Sequence, residues 1–346
     1  MTAVASAKAE LARYTSAVTT YPAVSPLPGL SALKGKDVWF VPIGRTPSLD
    51  AMGTAIEHAL AEVGMHAHVS PGAFLPTTVA SCLAQARRHG ADAVVTGYVD
   101  YDLAADAIDL LVAQDIPVLL AGATPIGNDG PSPRLACYDT TPTLQLAQKL
   151  QLDAVIAHSN ATANVLYIGI SDSRQLADAA AYARAYLADH GPDCSMTAIH
   201  YRSAEVDELP SRVTAALRSH PDTTHVVCEV DASAPRVIEG IHAAGRVNQV
   251  KLSGAEGDLD ALQRIQSGSL QFVDAGFSAI HLGWQFADGI LRMLTGDIPR
   301  PTPTVVRLFT RDNVPSLSLT QQAYASMDWY GPGNLDHTFL TAWRTL

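Results

Sequence analysis

A strand that is apolar at every position constrains the fold of this chain more than any other feature. Residues 38–41 read Val-Trp-Phe-Val, a pattern typical of a strand buried on both faces of a parallel sheet. Thr46 and Pro47 follow with the residue types of a helix start, and apolar residues repeat at helical spacing from Ala51 to Val63. The segment therefore predicts a strand, a loop and a helix in that order. The carboxyl end of such a strand is a candidate ligand site.

The alternation of strand and helix continues along the chain. In the first half it predicts strands near 37–42, 66–70, 93–97 and 117–121, with helices near 47–64, 78–89 and 103–114. After a long helix near 142–158 it resumes, with strands near 164–170, 196–201, 225–230, 249–253 and 270–275 and helices near 174–190, 208–219, 234–244, 259–267 and 279–295. A further strand is expected near 304–309. Right-handed crossovers would make the strands of each series parallel, with helices on both faces of the sheet.

Two such series predict an α/β protein with two doubly wound parallel-sheet domains joined by a hinge. A length of 346 residues agrees with about two domains. The expected division is an N-terminal arm over 1–35, an N-terminal lobe over 36–122 plus 280–346 that takes in part of 135–158, and a C-terminal lobe over 160–275. No residue-level repeat relates the two halves, so that they share a pattern rather than a sequence.

Charge and hydropathy exclude two classes of partner. The chain has 34 acidic and 23 basic residues, a net charge of -11, and no basic cluster of the kind that binds nucleic-acid phosphates. No apolar run reaches the ~18 residues of a membrane-spanning helix. The first residues, MTAVASAKAELARY, lack the basic start and apolar centre of a secretory signal. A mature exported chain, from which the signal has been removed, would also lack them, so both interpretations remain open.

Motifs of nucleotide-binding and hydrolytic enzymes are absent from the sequence. It contains no G-x-G-x-x-G turn, Walker loop, G-x-S-x-G elbow or H-E-x-x-H helix. His66 and His68 alternate on a predicted strand and would share a face, so that they are either a metal-chelating pair or an exposed strand end. The four cysteines have no metal-ligand spacing, and buried thiols are expected, with one disulfide as the alternative. The sequence thus predicts no catalytic residue, metal or cofactor.

Polar and aromatic side chains recur where the predicted strands end. An aromatic ring beside a carboxylate, as in Tyr98 and Asp100, suits a ligand ring that carries hydroxyl groups. Each residue alone also fits a helix cap or a solvated loop, but recurrence at five or six strand ends predicts two facing sets and a cleft between them. The candidate ligand-binding residues are Ile43, Arg45, Tyr98, Asp100, Tyr101, Asp139, Thr140, Asp172, Arg174, Asp231, Glu256 and Phe277.

In their order along the chain, these elements resemble the type I periplasmic solute-binding proteins, the ribose-binding-protein-like family, over about 36–311. The local similarities are the Thr46-Pro47 turn, Asp100 in GYVDYD, the pair Asp139-Thr140 in CYDTTP, Arg174 in YIGISDSR and Glu256 in GAEGD. Ser48 and Leu49 stand where members that bind pentoses or hexoses often have aromatics, and Val230 and Ala275 fall near an expected Asn and Gln. The resemblance therefore leaves a sugar, a polyol, a modified sugar and another small polar compound, including an anion, as alternative ligands.

The resemblance implies the substrate-binding component of an ABC importer. Such a protein would be periplasmic or extracellular, held at the membrane by its transporter or a lipid anchor, with the permease as its partner. It would be a monomer without enzymatic activity that closes two lobes on one ligand. The implied hinge crossings lie near 123–134, 159–164 and 276–279, with Gly122, Gly127, Gly130 and Gly276 as flexible points.

A two-domain α/β enzyme and a binding module without a transporter, such as a chemoreceptor partner, remain as alternatives to this interpretation. Two further alternatives concern the ligand and the class of protein. One is a binder of a non-sugar small molecule, either anionic or aromatic. The other is the ligand-sensing core of a LacI-like regulator, which predicts a basic N-terminal helix-turn-helix. Residues 1–35 contain only three basic side chains, at Lys8, Arg13 and Lys34.

Overall fold

Two sheets form the core of the protein, which the computed structural model describes over residues 2–125 and 130–344. The first sheet contains β1 (Asp37–Pro42), β2 (His66–Val69), β3 (Ala93–Gly97), β4 (Val118–Ala121) and β5 (Leu135–Tyr138). The second contains β6 (Asn164–Ile170), β7 (Ser195–Tyr201), β8 (His225–Cys228), β9 (Lys251–Ala255), β10 (Gln271–Phe277) and β11 (Val306–Thr310). The helices are α1 (Ala3–Leu11), α2 (Pro47–Ala61), α3 (Pro76–Arg88), α4 (Ala105–Val112), α5 (Thr141–His158), α6 (Arg174–His190), α7 (Leu209–Ser219), α8 (Ala234–Ala243), α9 (Leu259–Gln266), α10 (Ala279–Leu294), α11 (Gln321–Ala325) and α12 (Leu335–Arg344).

The strand orders confirm the predicted fold class. The first sheet has the order β2-β1-β3-β4-β5 and is parallel throughout. The second has the order β11-β10-β9-β8-β6-β7 and is parallel except for the β10–β11 pair. Residues 38–41 of β1 are buried on both faces, because the helices that follow each strand cover the sheet on either side.

The strand near 304–309 lies in a different place from the one expected. The expected division put it in the N-terminal lobe with 36–122, whereas β11 pairs antiparallel with β10, and Phe309 lies opposite Asp274. Strand β11 pairs with the backbone of β10, which would otherwise be an exposed sheet edge. In this position Leu308 and Phe309 are buried. The long helix α5, part of which was expected in the N-terminal lobe, packs on strands β9 and β10 of the second sheet and on helix α6.

Two of the three implied hinge crossings are wrong. Segment 123–134 joins β4 to β5, which are neighbours in the first sheet, and 159–164 joins α5 to β6 within the second. The chain instead leaves the first sheet between β5 and α5. It returns to the first lobe near 278, inside the third implied crossing. The helix that follows, α10, packs on α2, β3 and β4 of that lobe.

The implied flexible glycines have different surroundings. A side chain at Gly122 would lie 2.9 Å from the ring of Tyr98, and one at Gly276 would lie 2.5 Å from the ring of Phe309. Both positions are therefore tightly packed, whereas a side chain at Gly130 would meet nothing within 4 Å. Gly127 lies outside the described residues.

The N-terminal arm and the C-terminal segment cross each other and contact both lobes. Helix α1 packs on α5 beside the second sheet. The amide of Leu308 donates to the carbonyl of Tyr14 at 2.8 Å, and the amide of Val18 donates to the carbonyl of Tyr330 at 2.8 Å. Within the described residues, no helix is long and apolar enough to cross a membrane.

A buried ion pair joins the arm, α10 and α12. The guanidinium of Arg292 is 0% exposed and donates to the Asp288 carboxylate at 2.7 Å and to the carbonyl of Ser25 at 2.5 Å. The indole of Trp343 donates to the other oxygen of Asp288 at 2.8 Å. Since each charge is desolvated, the pair stabilises the fold only while all partners remain.

The first prediction concerns this ion pair. Substitution Arg292→Met should lower the free energy of unfolding by about 3–5 kcal/mol, because Asp288 is left buried without its charge partner. Urea denaturation followed by circular dichroism measures the loss. Arg300→Met is the matched control, since the ion pair of Arg300 with Asp297 is largely exposed and should contribute at most about 1 kcal/mol. Equal losses of unfolding free energy in the two variants would contradict the assignment of Arg292 and Asp288 as a stabilising buried ion pair.

Candidate ligand-binding site

A cavity of about 650 Å³ lies between the carboxyl ends of the two sheets. One wall comes from the loops after β1, β2 and β3, and the opposite wall comes from the ends of β6 to β10. Helix α11 of the C-terminal segment contributes a third wall. Parallel α/β sheets bind ligands at this edge, and the volume falls within the range of roughly 300–1,000 Å³ of small-molecule sites.

The structure brings seven of the twelve candidate residues to the cavity wall. These are Ile43, Arg45, Tyr98, Asp172, Asp231, Glu256 and Phe277. The other five are not among its lining residues: Asp100, Tyr101, Asp139, Thr140 and Arg174. The strand-end pattern thus locates the cleft, and the remaining candidates lie around it.

Four of the five remaining candidates lie in a second zone of contact between the lobes. The Asp100 carboxylate accepts from the backbone amide of Arg174 at 2.8 Å, so that a residue after β3 caps the first turn of α6. The Arg174 guanidinium pairs with Asp102. Asp139 accepts from the Gln175 amide at 2.6 Å. These side chains join the lobes directly instead of facing the cavity.

Thr140 is the fourth candidate in that zone, and Tyr101 is the one candidate outside both the zone and the cavity wall. The hydroxyl of Thr140 donates to the side-chain oxygen of Gln175 at 2.6 Å. Tyr101 remains within its own lobe, where its hydroxyl donates to Asp109 at 2.7 Å. Since α6 begins at Arg174, its first turn meets the first lobe through backbone and side chain at once.

The start of α2 reaches across the cavity. Thr46 caps this helix, as predicted, by accepting from the amide of Leu49 at 3.1 Å. The hydroxyl of Ser48 donates to the Glu256 carboxylate at 2.8 Å. Glu256 directly follows β9, so this hydrogen bond connects the two lobes inside the cleft.

Carboxyl groups gather where β8, β9 and β10 end side by side. Asp231, Glu256 and Asp258 line the cavity, and Asp274 lies behind them. Backbone amides hold the cluster: that of Asp231 donates to Glu256 at 3.2 Å, and that of Asp258 donates to Asp231 at 3.0 Å. Neighbouring strands in a parallel sheet end at a common edge, which is why residues distant in sequence meet here.

Burial raises the pKa of all four carboxyl groups. The pKa of Glu256 rises to about 8 and that of Asp258 to about 7, with burial as the largest cause and neighbouring carboxylates as a further one. The pKa of Asp274 rises to about 6 and that of Asp231 well above its ordinary value. Across residues 2–125 and 130–344, none of the four forms an ion pair with a lysine or arginine. The cluster therefore holds protons at pH values where exposed carboxyls are ionised.

An aromatic ring that the sequence analysis missed lies opposite. Phe74 lines the cavity, and a side chain at Gly44 would come within 2.5 Å of its ring. Gly44 thus lets the ring lie on the loop after β1. Ser48 and Leu49 stand where the resemblance places aromatics, and Phe74 supplies an aromatic face from the loop after β2.

Three residues of the cavity wall have backbone conformations that side chains rarely adopt. The φ angle is +58° at Phe74, +56° at Tyr98 and +109° at Glu256. Such conformations cost on the order of 1–3 kcal/mol each and persist where surrounding contacts impose them, commonly at ligand-binding sites. Their presence in one cavity, on both lobes, supports its assignment as the functional site.

The C-terminal segment is the other contribution that sequence analysis missed. Helix α11 places Tyr324 and two neighbouring residues on the cavity wall. The Tyr324 hydroxyl is buried and has no hydrogen-bond partner in the described chain. Tyr330 donates to the backbone carbonyl of Glu256 at 3.3 Å, which fixes the segment against the acidic end of the cavity. The sequence showed only aromatics in this segment, with no sign of what they contact.

The histidines do not gather at the cavity. His66 and His68 lie on the exposed strand β2, and His68 bonds Asp37 at 2.8 Å. Among the residues that the structure describes, no group of three or more His, Cys, Asp or Glu side chains is arranged to hold a metal ion.

The second prediction follows from the carboxyl pKa values. Between pH 6.5 and 8 the unfolded carboxyls are ionised while Glu256 and Asp258 still hold protons, so raising the pH lowers stability, by up to about 1.4 kcal/mol per pH unit for each group. We expect the Tm of the ligand-free protein to fall over this window. The buried His281 acts in the opposite sense below pH 6.5, because its folded pKa is about 3.

Differential scanning fluorimetry in matched buffers measures this dependence. Glu256→Gln should flatten the decline, because the variant has no proton to lose at this position. Asp189→Asn, a change at an exposed position of α6 outside the cavity, should retain the wild-type slope. A Tm that rises from pH 6.5 to 8 in the wild-type protein would disagree with the carboxyl assignment.

Comparisons with known proteins agree with this architecture. A solute-binding protein of Thermotoga lettingae TMO, in complex with 5-methylthioribose, has a TM-score of 0.73 and 15% identity over 88% of this chain and 98% of its own. The myo-inositol binding protein of Caulobacter has a TM-score of 0.70 and 20% identity over 82% and 95%. A sugar ABC transporter protein of Yersinia enterocolitica has a TM-score of 0.75 and 14% identity over 92% and 98%.

These structures share the fold with the present chain. No curated protein sequence matches it. The family model described as a periplasmic binding protein domain matches residues 36–297, which confirms the resemblance inferred from the order of elements. The chain belongs to this periplasmic binding protein family.

Proposed function

We propose that the protein is the substrate-binding component of an ABC importer and binds a sugar, polyol or related small solute in its interlobe cavity. The observation that carries the proposal is the cavity itself, to which both sheets contribute strand-end side chains. Support comes from relatives of the same fold whose structures hold 5-methylthioribose, myo-inositol and allitol. The activity would be binding, with no reaction.

Closure of the two lobes on a solute requires contacts from both. A ligand shifts the balance between open and closed states only through contacts that differ between them. Phe74 and Tyr98 from the first lobe and Asp172 and Glu256 from the second face one cavity, so that a bound molecule would contact both walls only when they are together. A micromolar ligand supplies about -8 kcal/mol in total, and part of this would favour closure.

Direct contacts between the lobes would add to this closure. The hydrogen bonds from Ser48 to Glu256 and from the Arg174 amide to Asp100 hold the lobes together without a ligand. Being polar and partly exposed, they contribute modestly, and a solute would make the larger difference. The closed protein would then be recognised by a permease, outside the cytoplasm, as a monomer.

In its described residues, the arm does not supply the helix-turn-helix that the regulator alternative predicts for it. Residues 2–35 contain one α-helix, α1, which packs on α5, whereas a helix-turn-helix needs two helices packed on each other. The anionic-ligand alternative is disfavoured by the carboxyl cluster, and Arg45, the cation expected to attract such a ligand, pairs with Asp50 at 3.2 Å. A neutral or cationic solute remains.

The third prediction tests the proposed function. A thermal-shift screen of sugars, amino sugars, polyols, sugar acids and small aromatics should give stabilisation by sugars or polyols and none by sugar acids. A ligand at 100 times its Kd stabilises by about 2.7 kcal/mol. Isothermal titration calorimetry should give one site per chain, and the chain should leave every bound compound unchanged in a product assay. Stabilisation by none of these compounds would overturn the proposal.

The fourth prediction concerns Phe74. The variant Phe74→Ala should raise the Kd of any ligand from the screen at least about tenfold, because truncating a buried aromatic contact costs 1.4 kcal/mol or more. Leu75→Ala is the control, since this neighbouring side chain is exposed and does not line the cavity. Calorimetry on both variants measures the difference. Equal affinities of the two variants would show that the ligand lies elsewhere.

A further inference from the structure

We infer that the solute carries a positively charged nitrogen, which lies against Asp258 and Glu256 at the acidic end of the cavity. The inference rests on the proposed function and narrows it to polyhydroxylated amines, such as amino sugars or amino polyols. It goes beyond the relatives above, whose bound ligands are two polyols and a thioether sugar, all neutral.

The first step of the argument is charge. Asp231, Glu256 and Asp258 line one end of the cavity, and Asp274 lies directly behind. Arg264 is the cation on this wall, and its Nε donates to Gln271 at 2.8 Å, with no ion pair to the cluster. Ionising these neighbouring acids together is unfavourable in a low-dielectric concavity with one offset cation, and a cationic guest would favour their ionised form.

The second step is hydrogen bonding. Asp258 is 5% exposed and lines the cavity, and its Oδ1 has no donor among the described residues. The hydroxyl of Tyr324, on the facing α11, is buried and also without a partner. Buried carboxylates without donors are costly. An ammonium group has three donors and no acceptor. Such a group can therefore donate to Oδ1 of Asp258 and to the hydroxyl oxygen of Tyr324.

The third step separates an organic cation from a metal ion. The described acids do not form a group arranged to hold a metal, although three of them line one cavity. The rest of the cavity wall mixes polar residues such as Ser48, Asp172 and Ser203 with apolar or aromatic ones. The latter include Phe74, Leu144, Leu176, Tyr201, Val206 and Pro235. A solute with a cationic end and a larger hydroxylated or apolar body fits a cavity of about 650 Å³ of this character.

Proton linkage gives the inference a second signature. A cation binds the ionised cluster, and burial holds the pKa of Glu256 at about 8 and that of Asp258 at about 7. Amine binding at pH 7 should therefore release protons, and affinity should weaken as the pH falls. The charged and titratable groups facing the cluster are Tyr98 after β3, Tyr201 of β7, Asp231 after β8, Asp274 of β10, Asp260 and Arg264 of α9, Tyr324 of α11 and Tyr330 before α12.

The experiment compares matched neutral and cationic compounds by isothermal titration calorimetry. The pairs are glucose with glucosamine at pH 7, and sorbitol with N-methylglucamine, whose amine stays protonated from pH 6 to 8. The amine should bind at least tenfold more tightly in a pair. Its Kd should rise at least threefold from pH 8 to pH 6, and titrations in buffers of different ionisation enthalpy should show proton release.

Asp258→Asn should remove the preference for the amine, bringing the two Kd values of a pair within about threefold. Asp189→Asn, the same change at an exposed position of α6 that does not line the cavity, should keep the preference. If Asp258→Asn does not fold, proton release by the wild-type protein decides the question. Equal or tighter binding of the neutral members, without proton release, overturns the inference and leaves the solute-binding function standing. Binding of no member, with no stabilisation in the wider screen, overturns both.

Discussion

Burial of the strands on both faces is the constraint on which the rest of this structure depends. Strands such as β1 and β3 have no solvent-facing side, so polar groups are accommodated only where the strands end. Parallel pairing brings all carboxyl ends of a sheet to one edge, and two sheets facing each other enclose the space between these edges. The cavity, its strand-end carboxyls and its contacts between lobes all follow from that arrangement.

The same constraint explains how much of the structure could be predicted from the sequence. Apolar periodicity locates strands and helices, and strand ends locate Asp231 and Glu256, because both depend on local pattern. Local sequence pattern does not determine which polar side chains face the cavity and which face each other. Asp100 and Arg174 satisfy one another across the lobes, a pairing of residues 74 positions apart that no local pattern encodes. Nor does periodicity determine sheet membership, as the position of β11 shows.

The missed cavity residues have a common cause. Phe74 reaches the cavity because a left-handed backbone and the absence of a side chain at Gly44 let its ring lie on another loop. Tyr324 reaches it because the C-terminal segment folds back over the strand ends, beyond the region that matches the family. Both contributions are made by tertiary packing between segments distant in sequence, so a reading of elements one at a time cannot find them.

The C-terminal segment also bears on how the lobes move. Its first part is fixed to the second lobe, where Tyr330 holds the carbonyl of Glu256, and α12 is fixed to the first lobe through Trp343 and Asp288. Rotation of one lobe against the other must therefore be absorbed between these points, around residues 331–334, as well as at the crossings beside α5 and α10. The arm adds a further connection through Ser25 and Arg292. With this many links, opening the cleft requires several segments to bend together, and any contact of a bound solute with Tyr324 would act on the same segment that restrains the lobes.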